Sequence, residues 1–372
     1  MASVARVLYS RMVIDTDAKL DAYLETLREA EWVAVDTEAD SLHAYPEKVC
    51  LIQISTVQGD RLIDPLSGMA IDPLLDALAG HELIMHGSDY DLRLLRKHHE
   101  WVPGAIFDTM LAARLLGLAQ FGLSHLVESF LKVKLEKGPQ KANWALRPLT
   151  LRMEQYARND TRYLKPLSDQ LREELNRRGR MGWHQECCAR LIADCAKPKE
   201  VDADEVWRVK GGHVLGPAGL SVLRELWHWR ESEAVRANRP PFFILSHEVL
   251  VAIALAAGDQ SPYERHLPRH LSERRCDGVQ KAVEAGLSVP PQDQPRPRRI
   301  ISRRPLESER RRFAELEVRR NDRATELGID PTLIASRSTI SDLAHDWDQA
   351  APNLMCWQRN LMEGESIRDP AV

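Results

Sequence analysis

The apolar run 32–35 leads into Asp36 and Thr37, apolar residues crowd 49–56 and 83–86, and they close the short stretch 60–63, the pattern of strands in a buried or half-buried sheet. Helical patterns fall at 18–30, 71–79, 89–98, 109–117, 124–131 and 151–178. The links between the first three strands are short, which suggests antiparallel hairpins. A mixed sheet with helices packed on it follows, an α/β architecture.

The pattern changes near residue 195. Residues 197–204 are charged and hold a proline, which suits a linker. Helical patterns then occupy 217–236 and 246–257 without strand alternation, interrupted by Arg239-Pro-Pro241, and Ser246 is placed to cap the second helix. Pro290, Pro291, Pro295, Pro297 and Pro305 exclude a regular helix from 288–305, a stretch that also holds Arg296, Arg298, Arg299, Arg303 and Arg304. A long charged helix over 307–327 and shorter ones at 331–335, 339–346 and 354–362 form a last segment. The expected division is an α/β domain over 1–196, a small all-α domain over 204–287, a Pro/Arg-rich linker over 288–306 and a second all-α domain over 307–372.

The 372 residues carry a net charge of −4, so attraction to nucleic acid must rest on local patches. None of the six cysteines forms a CxxC pair, which argues against a zinc site or a disulfide framework and for a reducing cytoplasm. No apolar run has the length of a leader or a membrane span, so no membrane partner is expected. His81-Glu82 and His247-Glu248 lack the second histidine of HExxH, and no Walker loop, GxGxxG or GxSxG occurs, so no nucleotide cofactor is expected.

The chemistry concentrates in acids. On the first strand Asp36 and Glu38 stand two apart and share a face with Trp32 and Ala34. Adjacent carboxylates raise each other's pKa unless a cation neutralises them, and hard divalent cations prefer such oxygens. Asp91 falls where a strand turns into a helix, at capping-box spacing from Ser88. Asp108 reads as a helix N-cap rather than a ligand. Tyr156 and Asp160 stand four apart on one helix face.

In this order, Asp-x-Glu on a strand, Asp opening a helix and Tyr-xxx-Asp on a later helix, the acids resemble the three motifs of the DEDD exonucleases, and the tyrosine the DEDDy subgroup. The segments 45–54, His86-Gly-Ser88 and Trp144-Ala-Leu-Arg-Pro-Leu-Thr150 extend the resemblance to the ribonuclease D type. Residues 207–241 resemble an HRDC domain, a helical nucleic-acid-binding module, and the last segment resembles a divergent second copy.

The resemblance implies a ribonuclease H-like fold followed by two HRDC-like domains. It implies two divalent metal ions, Mg²⁺ or Mn²⁺, held by Asp36, Glu38, Asp91 and Asp160, with Tyr156 orienting the attacking water. The implied activity is 3′→5′ exoribonuclease cleavage to nucleoside 5′-monophosphates on RNA with a free 3′ end, tRNA precursors being the family's usual substrates. Lys141, Arg147 and Arg158 are candidate phosphate contacts, and the Arg-rich stretch 296–304 could add nonspecific attraction. A DNA exonuclease of the same chemistry and a noncatalytic RNA-binding adaptor are the rivals.

Overall fold

The computed structural model describes residues 13–198, 202–297 and 304–363; Arg298, Arg299 and Arg303 of the Arg-rich stretch lie outside them. Its chain forms two compact units that do not follow sequence order. One takes the chain up to Ala39, Val49–Pro198 and everything from Arg303 on; the other takes Asp40–Lys48 and Lys199–Ser302.

The first unit is built on a six-stranded sheet of order β1-β4-β3-β2-β5-β6. Its strands are β1 (Val13–Ile14), β2 (Val33–Ala39), β3 (Val49–Thr56), β4 (Gly59–Ile63), β5 (Glu82–Met85) and β6 (Ala105–Asp108). The β2–β3 and β3–β4 pairs are antiparallel as expected; β1–β4, β2–β5 and β5–β6 are parallel. Every residue of β3 is buried, which explains its continuous apolar run. Alternation along β2 sends Val33 and Val35 into one core with Leu92 and Leu95, and Ala34 into another with Phe107 and Leu167.

Helices α1 (Asp17–Arg28), α2 (Asp72–Leu78), α3 (Asp89–His99), α4 (Thr109–Leu115), α5 (Leu151–Arg162), α6 (Leu164–Arg177) and α7 (Met181–Ala196) belong to the same unit. The single helix expected over 151–178 is two, parted at Tyr163. Pro166 has no N–H to return to the Arg162 carbonyl, so the first helix cannot run through it. β1, β6 and α7 escape the sequence pattern: the two strands have only two and four residues, too short for a period to register.

In the second unit α8 (Pro217–Ala237), α9 (Pro241–Ile244), α10 (His247–Gly258) and α11 (Glu273–Leu287) enclose their own core of Trp207, Leu223, Leu226, Leu250, Ile253 and Val283. The α8–α11 contact is close because Gly286 lies on the backbone of Val222, 2.5 Å from where a Cβ would fall. The loop Asp40–Lys48 joins this unit: the Tyr45 hydroxyl donates to Glu231 Oε2 at 2.5 Å, and the Tyr45 amide donates to Asn238 Oδ1 at 3.2 Å.

Three helices of the first unit repeat α8–α10 in a fixed register. α12 (Glu307–Leu327), α13 (Pro331–Ile334) and α14 (Arg337–His345) begin at 307, 331 and 337, each 90 residues after the start of its counterpart at 217, 241 and 247. A last helix, α15 (Cys356–Glu363), packs on α12. Among the described residues no helix is long and apolar enough to cross a membrane.

Candidate active site

β2 meets β5 only at Val33 and Ala34, while its pairing with β3 continues past Glu38. Beyond Val35 the strand therefore has an unpaired side, and Asp36 and Glu38 lie on that stretch. Asp36 stands opposite Gln53 and Glu38 opposite Leu51 before an irregularity between Glu38 and Ala39 breaks the register.

Asp91 comes to the site from the first turn of α3. Its Oδ1 accepts hydrogen bonds from the Thr37 amide at 3.1 Å and the Thr37 hydroxyl at 2.5 Å. The middle residue of Asp36-Thr-Glu38 thus orients an acid 54 positions away, a role the sequence pattern did not signal. Ser88 does not cap α3; its hydroxyl donates to Asp108 Oδ2 at 2.9 Å. Asp108 is fully buried, caps α4 through the Met110 and Leu111 amides, and also accepts from the Gly87 and Ser88 amides. One carboxylate so holds both the start of α4 and the turn that presents Asp91.

Tyr156 and Asp160 ride on α5. Thr150 caps its start through the Met153 amide, and its far end is fastened to the sheet by Ser55–Thr161 at 2.7 Å and by Arg162 on Asp60 at 2.5 and 2.8 Å. The Asp160 carboxylate and the side chain of Gln140, a residue sequence reasoning missed, both lie near enough to the Tyr156 hydroxyl to act on it.

One oxygen from each of Asp36, Glu38 and Asp160 lies within 4.8 Å of the others. Asp91 stands outside that trio but close enough to act on Asp36 electrostatically. Burial, reinforced by the neighbouring acids, pushes Asp36 well above the carboxylate range and Glu38 up to about 9. Burial also raises Asp160 to about 7, against the lowering influence of the Tyr156 hydroxyl, and Asp91 to about 6, against the bonds from Thr37. Asp160 Oδ2 is buried with no hydrogen-bond partner. Clustered acids with an orphaned oxygen disfavour ionisation unless a hard cation joins them, so the residues present fit a divalent metal.

Arg147 is not available to a phosphate. Nε and Nη2 hold Asp64 at 2.6 Å, Nη2 also reaches the Cys50 carbonyl at 2.7 Å, and Nη1 reaches the Trp144 and Leu146 carbonyls at 2.7 and 2.9 Å. A guanidinium has five N–H groups, and these five bonds use them all. Arg158 turns to Glu154 at 2.8 Å, and Lys141 is exposed.

Comparison with known proteins agrees with this geometry. Residues 12–176 match the family model of 3′-5′ exonucleases, and residues 219–258 match that of the HRDC domain. Ribonuclease D of Zymomonas mobilis is 35% identical over 251 residues, a match spanning 65% of this chain and 63% of that protein. Ribonuclease D of Gluconacetobacter diazotrophicus is 28% identical over 96% of this chain and 92% of its own. The crystal structure of Escherichia coli RNase D, described as an exoribonuclease involved in structured RNA processing, superposes with a TM-score of 0.72 over 94% of this chain and 98% of that one; at 23% identity it establishes the shared fold. With the acids and tyrosine of the DEDDy pattern gathered at one strand end, the chain carries a 3′-5′ exonuclease domain and an HRDC domain and is similar to the ribonuclease D proteins over most of its length.

Proposed function

We propose that this chain trims RNA from a free 3′ end, releasing nucleoside 5′-monophosphates, and that tRNA precursors are among its substrates. The observation that carries this reading is the trio of Asp36, Glu38 and Asp160 oxygens within 4.8 Å, with Tyr156 one helical turn before Asp160 on the same helix. Asp36, Glu38 and Asp160 would hold two divalent cations, Mg²⁺ or Mn²⁺, with Asp91 completing the set directly or through water. When bound, the cations offset the negative charge that gathers on the phosphate and on the leaving 3′ oxygen.

The chain's own groups do the rest. Thr37 keeps Asp91 turned toward the site by fixing its other oxygen. Burial pushes the Tyr156 hydroxyl above its usual range. A phenol that keeps its proton at neutral pH orients the attacking water; it does not take the proton. The water oxygen bonds to phosphorus and loses a proton to solvent as the bond to the 3′ oxygen breaks, the 3′ oxygen takes up a proton from solvent, and the phosphate leaves on the 5′ side of the released nucleotide.

Around this centre we propose four regions: an exonuclease domain over 1–196, an HRDC domain over 204–287, a linker over 288–306 and a second HRDC-like domain over 307–372. Of the basic candidates, Lys141 and Arg158 are kept as proposed phosphate contacts. The test is digestion of end-labelled RNA and DNA oligonucleotides with Mg²⁺, Mn²⁺ or EDTA. The expected result is stepwise loss of the RNA 3′ end as 5′-monophosphates, abolished by EDTA and by Asp36→Ala. RNA that is bound but never shortened would overturn the catalytic reading, and faster digestion of DNA would overturn the choice of substrate.

A further inference from the structure

The Tyr156 hydroxyl must sit at one place to orient a water, yet α5 alone does not hold its ring. Residues 132–150 form no regular helix or strand, and this segment closes on the tyrosine from outside the helix. Gly138 lies against the ring at its Cδ2 side. A Cβ there would fall 1.5 Å from Tyr156 Cδ2, 2.3 Å from Cγ and 2.4 Å from Cε2, all inside van der Waals contact. Two residues on, the Gln140 side chain lies near the hydroxyl. Trp144 stands behind the ring, with centroids 6.0 Å apart.

The segment is itself pinned at this point. Arg152 Nη2 donates to the Lys137 carbonyl at 3.1 Å, the Ala142 amide donates to the Pro139 carbonyl at 2.8 Å, and Trp144 is buried. Pro139 has a fixed φ. A side chain added at 138 therefore meets a braced backbone on one side and an aromatic ring on the other. The part able to give is the ring, which turns about its own χ angles.

We propose that Gly138 and Gln140 are positioning residues for Tyr156: the first leaves the space in which the ring stands, and the second donates to its hydroxyl from the side-chain amide. The inference rests on the catalytic reading of Tyr156 given above. Glycine is required at 138 by the ring, since no positive φ marks the position.

The test is a double-mutant cycle on the full chain, reading kcat and KM on a short single-stranded RNA in Mg²⁺ together with Tm. Gly138→Ala is expected to lower kcat roughly 10- to 100-fold, the scale of a misplaced catalytic group, with KM little changed. In a Tyr156→Phe background the same substitution should cost less than about 2-fold, because no hydroxyl remains to misplace. Gln140→Leu, which adds no clash, should lower kcat by several fold in the wild type and not at all beside Tyr156→Phe. If Gly138→Ala lowers Tm sharply, Tyr156→Ala should restore it by vacating the space. Equal losses of kcat in both backgrounds, or wild-type kcat for both Gly138→Ala and Gln140→Leu, overturn the proposal while leaving the tyrosine's role intact. Wild-type kcat for Tyr156→Phe alone overturns that role and this inference with it.

Discussion

The helices α8–α10 and α12–α14 follow one plan and bury it in different company. In both, a buried arginine reaches the carbonyl fifteen residues on: Arg230 to Leu245 at 3.4 Å, Arg320 to Ala335 at 3.1 Å. In both, the next residue steadies that guanidinium, Glu231 in one and Asn321 in the other. Ser246 and Ser336 each cap the third helix. Leu226 and Leu316, Ile244 and Ile334, Leu250 and Ile340, and Ile253 and Leu343 fill matching buried positions.

What differs is the open side. The α8–α10 core closes with α11 and Trp207. The α12–α14 core is continuous with Phe107, Leu164 and Leu171 of the α/β domain. Trp357 stacks on Trp183 of α7 at 4.8 Å, and Arg180 donates to the carbonyls of Leu115 and Leu327 at 2.7 Å. Two positions show how few residues direct this. Asn238, at φ 46°, uses its side chain to hold the amide of Tyr45, whereas Gly328, at φ 62° in the matching place, has none, and Gly117 comes so close that a Cβ on it would fall 1.8 Å from the Gly328 carbonyl oxygen. A shared helical code sets the module; a handful of outward residues decides what it becomes part of.

The sharpest way to break this comparison is truncation. Removing residues 304–372 strips the cover from Trp183 and Arg180, and should lower the Tm of the α/β domain by roughly 10 °C or more, on the scale of losing a buried tryptophan contact. Residues 202–297 alone should unfold cooperatively. A truncated nuclease within a few degrees of the full chain would dissolve the distinction.

The two units should also part in their response to pH. In metal-free protein the folded Asp91, Asp160 and Glu38 keep their protons to about 6, 7 and 9. The unfolded chain releases them near 4, so it binds fewer protons across this range and stability falls as pH rises from about 4 to 9. Glu233 in the other unit is lowered, by Arg274 first, so its contribution is complete above its unfolded pKa and does not change over the same range. The first unit should lose several degrees of Tm with rising pH in EDTA, and Asp36→Asn should flatten the slope; a slope unchanged by that substitution counts against the acid cluster as its source.

Arg230→Ala and Arg320→Ala each orphan a buried carbonyl, at a cost of about 1–3 kcal/mol. Followed by site-specific fluorescence, the first should lower the unfolding transition of the second unit alone, and the second that of the nuclease. The smallest effect belongs to Tyr45→Phe, which removes one hydrogen bond to Glu231 and should cost about 1–2 kcal/mol in the second unit. Asn321, the counterpart of Glu231, takes no such bond among the described residues, and Asn321→Ala should act only through Arg320.

Much of this molecule was legible in its sequence because the signals were local. Alternation placed Asp36 and Glu38 on one strand face, Asp108 announced a cap, and four-residue spacing put Tyr156 beside Asp160; each depends on backbone periods of two or 3.6 residues, which the order of side chains carries directly. The tertiary structure decided what depends on partners far along the chain. Arg147 looked like a phosphate ligand until Asp64 and three carbonyls consumed its donors. Thr37 became the holder of Asp91, and Gly138 and Gln140 the frame of Tyr156. The sequence by itself named the acids that can carry the chemistry. Only the folded chain settled which oxygens converge and which module shares the nuclease core, because hydrogen-bond capacity and buried area are spent between residues that no local period brings together.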